Sequence, residues 1–244
     1  MSGLRRSIRV LLRAAMRGRH RLLVEGELPD QAVLLVANHS SHLDTAAVLA
    51  AVGGSPSRLR VAAAADYFFR NRLAGAAAGG LLGAFPFPRD RGCRTGLRRC
   101  STLVAAGESV LIFPEGTRAA AGARCNFKPG VGLLARGGTS VVPVGIAGTA
   151  EALPRGSRRL GRGRVVVVIG RPMAFGDDVD ARRAASEMES AVNALVIRAE
   201  ALRGGQFPSQ APSAQALRAA VSWPASTSVP PISPSARRMR SIPR

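Results

Sequence analysis

The segment Asn38-His39-Ser40-Ser41-His42-Leu43-Asp44 follows directly on the apolar run Ala32 to Ala37. That run is short, rich in Val and Leu and bounded by polar residues, the pattern of a buried strand that delivers His39 to a sheet edge. Ser41 and Asp44 have the spacing of a capping box, and Thr45 to Val52 continues as helix-compatible sequence. On one continuous helix His39 and Asp44 would lie about 140° apart. They meet only if His39 sits on the turn and Asp44 points back from the first helical turn. An imidazole oriented by a carboxylate in this way suits general-base chemistry on a hydroxyl. Taken alone, the seven residues favour the plainer reading of a capped helix behind a turn histidine. A zinc reading of His39 and His42 lacks a closing ligand set.

Working outward, Arg21 to Gly26 reads as an edge strand and Leu28-Pro29-Asp30 as a turn. Before them, residues 4 to 17 place Leu4, Ile8, Leu11, Leu12, Ala15 and Met16 on one side of a helix. Arg5, Arg6, Arg9, Arg13 and Arg17 fall on the other. An apolar stripe beside a polybasic one suits both an interfacial helix and an ordinary surface helix. Downstream, Gly53 to Ser57 is a loop, Leu59 to Ala65 a strand and Asp66 to Leu82 a helix anchored by Tyr67, Phe68 and Phe69. Ala84 to Arg91 is extended, since its prolines rule out a helix and argue against a central strand. Thr95 to Ala106 reads as helix and Ser109 to Phe113 as a strand feeding Pro114-Glu115-Gly116-Thr117-Arg118. In that turn Gly116 permits close backbone approach, and Arg118 suits bidentate phosphate binding.

Phe127-Lys128-Pro129-Gly130 opens another helix with Pro129 at its first position, a place where free amides attract an anion. Lys128 is the only lysine in a chain otherwise cationic through arginine. Thr139 to Ile146 is a strand interrupted by Pro143, Arg164 to Ile169 a strand apolar on both faces, and Asp180 to Arg203 a long amphipathic helix. From Gly204 onward the chain is rich in Pro and Ser and reads as a disordered tail.

The 244 residues carry 35 Lys plus Arg against 15 Asp plus Glu, a formal charge of +20. Such a balance calls for an anionic partner. Aromatic residues are scarce and no basic-aromatic interleaving occurs, which argues against specific nucleic-acid recognition. Cys93, Cys100 and Cys125 show no paired spacing and suit a reducing cytosol. No apolar segment reaches spanning length, so a bilayer would be met from its surface.

Four blocks now stand in order: NHSSHLD at 38–44, FPFPR at 85–89, FPEGTR at 113–118 and VVPVGI at 141–146, with FKPG at 127–130 between the last two. Together they resemble the glycerolipid acyltransferase family, from about Arg21 to Met173. The resemblance implies an α/β fold, one domain over 21–203 with a mixed, largely parallel central sheet flanked by helices. The basic helix at 1–20 would precede it and the tail at 204–244 follow. It also implies His39 as general base and Asp44 as its orienting carboxylate. Arg89, Glu115, Gly116, Thr117, Arg118 and Lys128 would bind the phosphorylated acceptor, and Val142, Pro143, Val144, Gly145 and Ile146 would help form the acyl pocket. The implied reaction moves an acyl group from acyl-CoA or acyl carrier protein to 1-acyl-sn-glycerol 3-phosphate, giving phosphatidic acid, with no metal or other cofactor. It would take place at the cytoplasmic face of an anionic membrane. Two departures stand out: many relatives carry longer amphipathic or membrane-spanning helices ahead of the histidine block, and Pro88 stands where an acidic residue is common. Another lysolipid acceptor, or a non-catalytic basic protein resting on anionic lipid, are the alternative readings.

Overall fold

The computed structural model describes residues 2–52, 58–65, 78–88, 93–119, 125–136, 138–157 and 159–205. The loop expected at 53–57, most of the helix expected at 66–82, Arg89 and the tail from 206 lie outside the described residues.

Helix α1 (Ser2–His20) leads into strand β1 (Leu23–Glu25), followed by β2 (Leu34–Ala37), α2 (Leu43–Ala51) and β3 (Arg58–Ala64). A π-helical turn (Ala78–Leu82) precedes β4 (Ala84–Phe87), α3 (Cys93–Ala105) and β5 (Glu108–Ile112). A 3-10 helix (Pro129–Ala135) then leads to β6 (Val141–Ala147), the short α4 (Thr149–Ala152), β7 (Val166–Ile169) and α5 (Ala181–Arg203). The strands form one seven-stranded sheet in the order β1-β7-β6-β2-β5-β3-β4. From β6 through β4 all neighbours are parallel, and the β1–β7 pair runs the other way, joined antiparallel at β6–β7. The mixed, largely parallel sheet is thus as the family resemblance implies.

β2 shows why the sheet lies inside. All four of its residues are buried, and alternate side chains feed opposite cores. Leu35 and Ala37 join one apolar cluster with α2 residues such as Val48 and Leu49, whereas Leu34 and Val36 join another with α3 and α5 residues such as Leu97 and Met188. A strand covered on both faces reads as a continuous apolar run, the pattern of parallel α/β sheets.

Three local expectations are corrected. α1 buries only part of the apolar stripe read from its sequence: Met16 is buried and Leu12 packs on the core, but His20 and Arg9 are buried with them, the Arg9 guanidinium donating to the Leu59 carbonyl at 3.2 Å. Leu11, which the sequence puts on the apolar side, is 68% exposed, and Val10 is 55% exposed. The long arginine stem can line an apolar interface while its head finds a carbonyl, so polarity alone does not delimit the inner face. Pro143 does not interrupt its strand. Its carbonyl accepts from Gly170 just beyond the end of β7, so the missing N–H falls at the last rung and the ladder to β2 stays intact. The segment after Lys128 is a single 3-10 helix, with the expected proline at its start. No helix among the described residues is long and apolar enough to cross a membrane.

Candidate active site

Because β2, β5 and β6 are parallel neighbours, their carboxyl ends share one edge of the sheet, where open α/β sheets bind ligands. His39 lies two residues beyond β2, the 113–118 loop follows β5, and Thr149 lies just past β6. Asn38 holds this edge together: its amide nitrogen donates to the Ile146 carbonyl at 2.9 Å, and its oxygen accepts from the Ile146 N–H at 2.8 Å.

His39 Nδ1 lies 2.8 Å from Asp44 Oδ2. The same carboxylate oxygen accepts from the backbone N–H groups of Ser40 at 2.7 Å and Ser41 at 2.8 Å. Asp44 therefore completes half of the anticipated capping box and orients the histidine at once, so the structural and the chemical readings of this residue coexist. The helix begins one residue later than that box implies, with Leu43 N–H donating to Ser41 Oγ at 3.2 Å. A carboxylate accepts only, so Nδ1 carries its hydrogen and the Nε2 lone pair is left for a substrate proton. One face of the imidazole stacks on Phe113, with centroids 4.3 Å apart and planes at 22°. Its backbone N–H donates to Glu115 Oε1 at 2.8 Å, and its carbonyl accepts from Ala119 N–H at 2.8 Å.

A cavity of about 670 Å³ opens beside this histidine. Its lining includes His39, His42, Gly116, Thr117, Arg118 and Lys128, together with the apolar side chains of Val61, Phe87, Leu97, Ile112, Phe113 and Val131. The histidine and the guanidinium from the separate loop thus share one cleft. Gly116 has φ +73°, and a Cβ there would stand 2.8 Å from Lys128 Nζ, so the lysine runs across the bare glycine backbone. Lys128 N–H donates to the Pro114 carbonyl at 3.1 Å, which ties its segment to the same loop. Arg155, beyond α4, also lines this cavity.

The electrostatics follow from this crowding. Burial lowers the His42 pKa, and the neighbouring Arg118 and His39 depress it further, against a weaker opposing pull from Asp44. Burial pushes the Glu115 carboxyl up, opposed by the hydrogen bond from the His39 amide. Glu115 lines a second cavity of about 470 Å³, on the α4 and α5 side of His39, and not the one that holds Arg118 and Lys128. Val142, Pro143, Val144 and Gly145 line neither cavity, while Ile146 reaches the second. At Gly145 the backbone of α5 approaches so closely that a Cβ would stand 2.4 Å from the Leu195 carbonyl carbon.

Sequence reasoning did not single out Asn38, Phe113, Thr149 or Arg155. Of these only Phe113 and Asn38 lie inside quoted motifs, and no local pattern marks the other two.

The sequence profile of the acyltransferase family matches residues 20–147, a span that holds β1 through β6 and every histidine-site residue apart from Thr149 and Arg155. This chain belongs to the acyltransferase family. Among other acyltransferases, the chloroplast 1-acyl-sn-glycerol-3-phosphate acyltransferase of Arabidopsis thaliana is 42% identical over 79 residues, covering 32% of this chain and 22% of that protein. A protein of the same name from Brassica napus is 42% identical over 86 residues, covering 34% of this chain and 25% of its own length. The match thus spans a quarter or less of these curated relatives. The crystal structure of the 1-acyl-sn-glycerophosphate acyltransferase PlsC from Thermotoga maritima shares the fold, with TM-score 0.63, 24% identity and coverage of 81% of this chain and 80% of that one.

Proposed function

We propose that this acyltransferase moves a fatty acyl group from a thioester, acyl-CoA or acyl carrier protein, to the free hydroxyl of 1-acyl-sn-glycerol 3-phosphate, giving phosphatidic acid. The observation that carries the reading is the His39–Asp44 pair, 2.8 Å apart, opening on the cavity that Arg118 and Lys128 also line. His39 Nε2 takes the hydroxyl proton as the oxygen attacks the thioester carbon. The C–O bond forms, the C–S bond breaks, and the proton passes from the imidazolium to the departing thiolate. Asp44 stabilises the imidazolium in between. Arg118 and Lys128 hold the acceptor phosphate, with Thr117 and Arg155 at the same cavity, so that the hydroxyl faces Nε2. Arg89, the remaining residue of the FPFPR block, is assigned to the same anion by the motif alone. Glu115 serves through the His39 amide it holds. The apolar wall built by Val61, Phe87, Leu97 and Val131 suits an acyl chain. No covalent enzyme intermediate and no metal or redox cofactor enters this scheme.

The outward face of α1, with Val10 and Leu11 exposed among Arg6 and Arg17, supports a peripheral position on an anionic leaflet. Leu12 of the same helix lines the cavity, so the helix and the cavity adjoin.

The test is phosphatidic acid formation from 1-acyl-sn-glycerol 3-phosphate with each thioester donor. His39→Ala should lose on the order of a hundredfold or more in kcat, and Arg118→Ala should lose more with phosphorylated than with unphosphorylated lysolipids. Near-normal turnover by a folded His39→Ala protein sinks the catalytic assignment, and equal Arg118→Ala losses on both acceptors remove the phosphate role.

A further inference from the structure

Asp44 is wholly buried, and its two oxygens have different surroundings. Oδ2 collects three donors, from His39, Ser40 and Ser41. Among the described residues Oδ1 has one hydrogen-bond partner, the hydroxyl of Thr149 at 2.5 Å. Thr149 is 105 positions further along the chain and is itself fully buried. Its place is set by its surroundings. Gly148, just before it, turns with φ +83° against the Arg164 backbone, where a Cβ would come within 2.1 Å of the carbonyl oxygen. The Leu153 carbonyl at the end of α4 accepts from Ser41 Oγ at 2.8 Å, a second tie between α4 and the catalytic turn. Ser40 Oγ lies 3.3 Å from Thr149 Oγ1 and can donate to it while Thr149 donates to Asp44.

We infer that Thr149 is a positioning residue for acyl transfer: its hydroxyl fixes the second oxygen of Asp44, and through Asp44 the plane and tautomer of His39. This rests on the reading of His39 as general base. The three donors on Oδ2 restrain one end of the carboxylate, but its plane can still swing about the Cβ–Cγ bond unless Oδ1 is also claimed. Thr149 claims it, from an element outside the His39–Asp44 turn. A hydrogen bond to a charged, buried acceptor is among the stronger protein hydrogen bonds, and losing only its donor strands the acceptor away from water.

The decisive substitution is Thr149→Val, which keeps the shape and removes the donor. It should lower kcat about tenfold to a hundredfold with both KM values within about threefold, since the lost bond steadies the base and touches neither substrate. Thr149→Ser should return kcat to within about threefold of wild type, because the hydroxyl is restored. In an Asp44→Ala background Thr149→Val should cost less than about twofold, because the carboxylate it serves is gone. Equal slowing by Val and Ser, or the same factor with and without Asp44, overturns the inference. If the Val protein does not fold, Thr149→Ser and Thr149→Cys replace it. They are nearly the same size, but a thiol is a weak donor, so Cys should be slower by about tenfold and parity between them overturns the inference. Wild type and His39→Ala run alongside: an inactive wild type or a fully active His39→Ala removes the underlying reading, whereas failure confined to position 149 leaves that reading standing.

Discussion

Replacing Asp44 by asparagine isolates what the carboxylate charge contributes. Three donors converge on Oδ2, so the asparagine carbonyl oxygen should occupy that position and its amide nitrogen should face the Thr149 oxygen, which can accept. His39 then keeps its hydrogen on Nδ1, and the loss is one of charge alone. Two unit charges about 4 Å apart attract by about 4 kcal/mol at an effective dielectric constant of 20, an apt value for a pair whose side chains are 19% and 0% exposed. With about half of the imidazolium charge developed in the transition state, about 2 to 3 kcal/mol is lost, a fall in kcat of about thirtyfold to a hundredfold with KM little changed. The assay is initial-rate phosphatidic acid formation at saturating acceptor, with a thermal melt to confirm folding. A loss of about ten-thousandfold, as occurs when a triad carboxylate is replaced and the ring adopts the wrong tautomer, would show that the backbone donors do not hold the oxygen in place. A loss under about threefold would show that the charge does not assist the base.

Gly116→Ala should raise the KM of the phosphorylated acceptor about tenfold while costing about 1 kcal/mol of stability, because the new Cβ displaces the flexible end of Lys128 and the φ of +73° disfavours a side chain; an unchanged acceptor KM refutes this. Burial raises the Glu115 pKa, so its charged form costs folding free energy above its unfolded pKa and that cost fades as pH falls through the folded value. Glu115→Gln retains an acceptor for the His39 amide and should melt higher at pH 7 with kcat within about threefold, whereas a lower melting temperature contradicts the sign. His20 is buried with neither ring nitrogen hydrogen-bonded among the described residues, and burial and Arg19 lower its pKa. The unfolded chain therefore binds the extra proton first, and stability should fall as pH drops below about 6.5, by at most about 1.4 kcal/mol per pH unit. His20→Met should flatten that fall in urea titrations between about pH 6.5 and 5, and an unaltered slope removes His20 as its source.

The parallel sheet was readable because its strands are short apolar runs with turn residues at both ends, and β2 and β7 are buried on both faces as such runs require. The His39–Asp44 contact was readable because five residues of turn and helix start bring the two together locally. Thr149 was not, since its partner lies 105 residues away and a threonine after a strand carries no local signature of its use. The inner face of α1 was legible only in part, for a different reason. A hydropathy pattern sorts side chains by type, and Arg9 is buried through a bond to Leu59, 50 residues distant, that no periodicity reports. For Glu115, the motif located the residue but not its direction, which depends on the His39 amide 76 residues earlier.

Those long separations also bear on how the protein acquires its chemistry. The Glu115, Thr149 and Ile146 tethers to the 38–44 turn each close a loop of 76 to 108 residues, so the first waits on β5 and the other two on β6 docking beside β2. During refolding, helix content should therefore return well before catalytic competence, and a nascent chain that stops short of β6 would carry the complete histidine motif yet remain inert.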